Sequence, residues 1–218
     1  MLKTIHKIIA ISMVLGTAQW AQAQVLGEAR GDLDGDGQAE IVVVTDTGRP
    51  SNNDLGSIRK LEVFKIQNGK RSLWQQSQQV ILPSQAGGMM GDPFQEISIK
   101  NGSLFVNHAG GSSWKWDTRD QYRYQNGQFE LIGYQSSSGR ICDSWTKIDV
   151  NFQTGKMIYK QEADGNVDAC DDNIAKIKPI NETFVNKNVK LNFKNRHAQE
   201  VYVIAPKSKE KIYFSSGN

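Results

Sequence analysis

The chain has 218 residues, 38% apolar and 22% charged, with a formal net charge of +3. That length suits one domain, or one and a small appendage, with enough chain to bury a core. Once a leader carrying Lys3 and Lys7 is set aside the charge falls to +1, which gives no electrostatic match to nucleic acid or an anionic membrane.

Residues 1–23 read as that leader, a signal peptide. Lys3, His6 and Lys7 form a positive start, Ile8 to Leu15 a short apolar run, and Ala21-Gln22-Ala23 a small-x-small cleavage pattern. The mature chain is expected to begin at Gln24. The apolar run is too short to span a membrane, and no cysteine stands at the cleavage point to take a lipid. The expected location is therefore periplasmic or secreted. Cys142 and Cys170 are the only cysteines. In an exported chain they most simply form one disulfide across 28 positions, the alternative being two buried thiols.

The densest chemistry follows at residues 31–40, Gly-Asp-Leu-Asp-Gly-Asp-Gly-Gln-Ala-Glu. Three alternating carboxylates repel one another unless a hard divalent cation accepts their oxygens. The expected ligands are Asp32, Asp34 and Asp36, the backbone carbonyl of Gln38 and the carboxylate of Glu40, with Gly37 permitting the turn. An EF-hand would need Glu at position 12 of the loop, where Val43 stands. The run resembles the Asp-x-Asp/Asn-x-Asp/Asn-Gly-x-x-Asp loop of FG-GAP (integrin α-chain, VCBS-type) repeats, with Glu40 where that family has Asp. The resemblance covers one repeat and implies Ca2+ held in a β-hairpin.

Beyond the loop the sequence reads as successive hairpins. Ile41 to Thr45 is a continuous apolar run, as expected for a strand covered on both faces. Asn68-Gly69, Asn101-Gly102 and Asn126-Gly127 are strong two-residue turn signals between apolar-patterned flanks, and Thr154-Gly155 is a weaker fourth. Their irregular spacing predicts a meander and not a strict repeat array. Ser72 to Val80 fits either a helix or an exposed strand. A hairpin-rich domain is predicted over 24–173. Further strands follow over 174–218, either in the same domain or as a small C-terminal appendage.

Two glycine-rich pieces, Gly87 to Phe94 and His108 to Trp116, are the other candidates. Together with Tyr122 to Gly127 and the acidic loop, their order resembles a set of exported bacterial proteins with one FG-GAP-like loop. That resemblance implies a fold and no activity. Trp114 and Trp116 alternate onto one strand face and with His108 are the candidate sugar or peptide platform, the alternative being that both indoles fill the core. Catalytic residues are scarce. The mature chain keeps only His108 and His197, and Ser112, His108 and Asp92 make a triad only on paper. Asp164, Asn166, Asp168 and Asp172 repeat the spacing of the first loop, but Ala169 replaces its glycine.

The expectation is an all-β, single-domain meander of antiparallel hairpins. Its expected role is that of a calcium-stabilised, non-catalytic binding or interaction module for a protein or glycan. An envelope hydrolase using His108 and the glycine-rich loops is the competing reading.

Overall fold

The computed structural model describes residues 23–164, 170 and 177–216. Among them every regular element is a β-strand except one 3-10 turn at Gly88–Met90. Four strands, β1 (Gln24–Gly31), β2 (Glu40–Pro50), β3 (Ser57–Gln67) and β4 (Lys70–Ser77), pair in chain order in one antiparallel sheet. Seven more form a second: β5 (Phe94–Lys100), β6 (Ser103–Gly111), β7 (Lys115–Gln125), β8 (Gln128–Gly139), β9 (Ser144–Asn151), β10 (Lys156–Ala163) and β11 (Ile180–Val185). The last two, β12 (Glu200–Ile204) and β13 (Lys211–Ser216), make a separate hairpin. The all-β meander is thus present. The stretch over Ser72 to Val80 settles as the end of strand β4 and the segment after it.

Local chemistry accounts for the tight turns. At 68–69, 101–102 and 126–127 both central residues have positive φ, 52° and 73° at Asn68-Gly69 for example. That is the geometry whose twist matches a right-handed strand pair, and Asn-Gly adopts it most cheaply. The weaker Thr154-Gly155 signal ends a longer loop between β9 and β10, with positive φ at Gly155 alone.

The core lies between the sheets. Val42, Val44, Leu61 and Val63 of the first meet Leu104, Val106, Tyr122 and Phe129 of the second, all fully buried. Val189, Leu191, Phe193, Val203 and Phe214 belong to the same cluster, and β11 extends the seven-stranded sheet from β10. The chain after 174 thus adds both a strand and core residues to what precedes it. The sheets also meet edgewise where β1 approaches β5. A Cβ on Gly31 would lie 2.5 Å from Ile99 Cγ2, so only glycine permits that approach. Cys142 and Cys170 are joined in a disulfide with Cα atoms 5.3 Å apart.

Candidate functional site

The acidic run forms the loop from β1 to β2. Gly35 and Gly37 take φ of 82° and 83°, letting the backbone coil around its own carboxylates. Asp32 accepts from the Gly35 and Gly37 N–H groups at 2.7 and 2.9 Å, and Glu40 accepts from Leu33 N–H at 2.8 Å. Carboxylate oxygens of Asp32, Asp34 and Glu40 all lie within 4.8 Å of one another. Two oxygens on one calcium ion are separated by at most about 5 Å, since each bond is about 2.3–2.6 Å. The three side chains therefore fit one such ion. Of the other expected ligands, Asp36 stands apart from this cluster with its side chain 42% exposed, and its Oδ1 accepts from Gln38 N–H at 2.7 Å. Gln38, whose backbone carbonyl is the expected ligand, is an exposed residue of the loop.

A residue without any local signal enters from β3. The Lys65 ammonium hydrogen-bonds Asp34 and lies 3.9 Å from Asp36, with its other side over the Trp74 ring. The hydrogen bond from Lys65 holds the Asp34 pKa below its ordinary value. Glu40, 1% exposed, is pushed the other way, by burial first and then by the charges of Asp34 and Asp36. One ammonium thus faces four carboxylates in the loop, Asp32, Asp34, Asp36 and Glu40, and a divalent cation would add charge of the balancing sign.

The aromatic candidates separate. Trp114, 46% exposed, sits in the β6–β7 turn with the Arg140 guanidinium 5.4 Å from its ring centre. Trp116 is half-buried against Gly110, where a Cβ would come within 2.6 Å of the indole. His108 does not join them at the surface. It is 2% exposed on the inner face of β6, and its Nε2 accepts from Leu82 N–H at 3.3 Å. Burial lowers its pKa to about 4, so it is a neutral imidazole packed in the core. The paper triad is also unassembled. Asp92 accepts from Arg59 at 2.6 Å and from Phe94 N–H at 3.0 Å, and no hydrogen bond joins it to His108 or Ser112. The glycines of the two pieces serve packing, since Gly111 N–H donates to Gly87 O at 2.8 Å and draws the 3-10 turn onto β6.

In the second acidic stretch, Asp164 accepts from Cys142 N–H at 2.9 Å beside the disulfide, while Asn166, Asp168 and Asp172 lie outside the described residues, as do residues 1–22.

Two further features had no local signature. Beneath the seven-stranded sheet, Arg196 donates from Nε and Nη2 to the Asp120 carboxylate at 2.6 and 2.9 Å, and from Nη1 to Phe214 O at 2.5 Å. Tyr122 OH donates to the same carboxylate at 2.8 Å. On the opposite, solvent-facing side of that sheet lie open clefts of about 430, 580 and 340 Å³, the first mainly polar and the third, beside Ile158, more apolar. No helix among the described residues is long and apolar enough to cross a membrane. Comparison with family models, curated proteins and solved structures returns no significant match, so the chain's own geometry is the basis for a functional reading.

Proposed function

We propose that this chain is an exported β-domain of the FG-GAP-like kind, stabilised by Ca2+ at Asp32, Asp34 and Glu40, that acts as a non-catalytic binding module for a protein or glycan. The observation that carries the binding role is the division of the seven-stranded sheet into two faces. Its open face offers hydrogen-bonding side chains in solvent-accessible clefts, while both histidines of the mature chain, at 2% and 8% exposure, lie in the interior. A general base must come within hydrogen-bond reach of the proton it removes; His108 borders one cleft, but it is almost wholly buried and its Nε2 is occupied by the Leu82 N–H, and His197 is buried as well. Support for the ion is the three-carboxylate cluster, in which a single ammonium, Lys65, pairs with Asp34. Support for export is the leader pattern together with the disulfide.

The test is a thermal melt with and without calcium. At ten times the dissociation constant the ion stabilises the fold by about 1.4 kcal/mol. For a chain of this size that is roughly 3–6 °C in Tm. Asp34→Ala should abolish the increment. An identical Tm in EDTA and in millimolar calcium refutes the ion, and turnover of an envelope substrate that collapses with His108→Gln refutes the non-catalytic role.

A further inference from the structure

The open face of the seven-stranded sheet is ordered by strand register into rows that cross the strands. Asp149 pairs with Gln135, Gln135 with Arg119, Arg119 with Asn107, and Asn107 with Glu96. Because side chains alternate along each strand, all five project to the same side. The row spans five strands, about 19 Å at the usual strand separation of about 4.8 Å. A parallel row, Lys160–Lys147–Ser137–Asp117–Ala109, lies on one side of it, and Asn151–Gly133–Gln121–Phe105 on the other. Small residues keep the floor low. A Cβ on Gly133 would sit 2.9 Å from Gln121 Oε1, so glycine there lets the amide lie flat.

The polar groups of the central row are largely unengaged by the protein. The Arg119 guanidinium lies over Phe105, 4.5 Å from the ring centre, and among the described residues its N–H groups have no protein acceptor. Among the described residues Asp117, Arg119, Lys147, Asp149 and Lys160 have no ion-pair partner, and Gln135 has no side-chain hydrogen bond. Asn107 donates to Glu96 at 2.7 Å, but its Oδ1 is buried with no donor. Charge on the face is interleaved and nearly balanced. Within the three rows the basic groups are Arg119, Lys147 and Lys160, and the acidic ones are Glu96, Asp117 and Asp149.

We infer that this face, centred on Arg119, Gln135 and Asp149, is a binding groove for a neutral oligosaccharide lying across the strands. The inference rests on the binding-module reading and names its ligand class. Vicinal hydroxyls each donate and accept, and planar guanidinium, amide and carboxylate groups meet adjacent hydroxyls with two parallel hydrogen bonds. Interleaved charges of both signs complement neither a polyanion nor a polycation, and the charged side chains along the rows disfavour an acyl chain or an apolar helix. A row about 19 Å long suits an extended chain of sugars better than a single one.

The test titrates the chain, disulfide intact and in calcium buffer, against neutral oligosaccharides from α-glucan, β-glucan, mannan and chitin, with heparin as the polyanionic control. At least one neutral oligosaccharide should bind with little dependence on salt. Arg119→Ala and Gln135→Ala should each weaken it about tenfold or more. Both side chains are exposed, so Tm should be unchanged, and Arg71→Ala on the other sheet should have no effect. The inference is overturned if no neutral oligosaccharide binds, if binding survives both substitutions, or if only heparin binds with a steep loss in salt. Sugars failing while a defined protein partner binds through Arg119 would sink the ligand class and keep the binding module. Sugars bound and cleaved would keep the ligand class and sink the non-catalytic role.

Discussion

Asp120→Ala is the substitution whose consequence follows most directly from the interior. Asp120 and Arg196 are each 1% exposed, and the carboxylate accepts two hydrogen bonds from the guanidinium and one from Tyr122. Burial alone would lower the Arg196 pKa, and in the intact chain Asp120 outweighs it; once Asp120 is gone the guanidinium still keeps its proton, because its intrinsic basicity is too high for deprotonation near neutral pH. Removing the carboxylate strands a buried cation and a buried hydroxyl together. Breaking one side of such a pair costs about 3–5 kcal/mol. With a chain of this size losing about 2–4 °C per kcal/mol, Tm should fall by roughly 6–20 °C. Urea unfolding followed by tryptophan fluorescence gives the free energy directly, provided the denaturant slope is unchanged. The double variant Asp120→Leu with Arg196→Met separates stranded charge from lost packing, because removing both partners should recover most of the deficit. A single variant within about 1 kcal/mol of wild type would refute the reasoning, and a double variant no better than the single would show that the charge is not the cause.

Acid should destabilise the fold through its histidines before its carboxylates. His108 and His197 have folded pKa values depressed by burial, so the unfolded chain binds more protons as pH falls below about 6.5. For His108, with a folded pKa of about 4, the loss across that window approaches about 3 kcal/mol, and Tm measured from pH 7 to 4.5 should drop less in a folded His108→Gln variant. Asp34 and Asp46 have lowered pKa values, so their contribution is lost only as pH falls further, through those values. Lys65→Ala leaves the acidic loop without its ammonium, so the calcium-dependent rise in Tm should exceed that of wild type; an equal or smaller rise would show that Lys65 does not offset the loop's charge. Cys142→Ser opens the 28-residue loop and should cost about 3–4 kcal/mol, read from urea midpoints, with non-reducing peptide mapping of wild type expected to show the Cys142–Cys170 link.

Much of this architecture is written locally. Asn-Gly at three positions is enough to place three hairpins, because a positive φ at two successive residues is a property of those residues alone. The run Ile41 to Thr45 announces a strand buried on both faces, and its residues are indeed all buried. The acidic loop declares its carboxylates by spacing. What spacing could not say is that Asp36 turns outward while Glu40 is buried next to the partly exposed Asp32 and Asp34, since that depends on how β2 enters the sheet.

Composition misled where the deciding partner was remote. His108 beside two tryptophans looks like a surface platform, but strand alternation puts it inward, beneath the segment at Leu82. The adjacent glycines look like a ligand loop, but they let the 3-10 turn lie on β6. The turns, the strand patterning and the acidic loop follow from neighbours along the chain. Packing between distant segments brings Lys65 from β3 to the loop, joins Cys142 to Cys170, sets Arg196 against Asp120 across 76 residues, and lines Asp149, Gln135 and Arg119 up on one face. The physical reason is that lateral neighbours in a sheet are set by register and layer packing, which sum many weak contacts between distant segments and leave no local pattern to read.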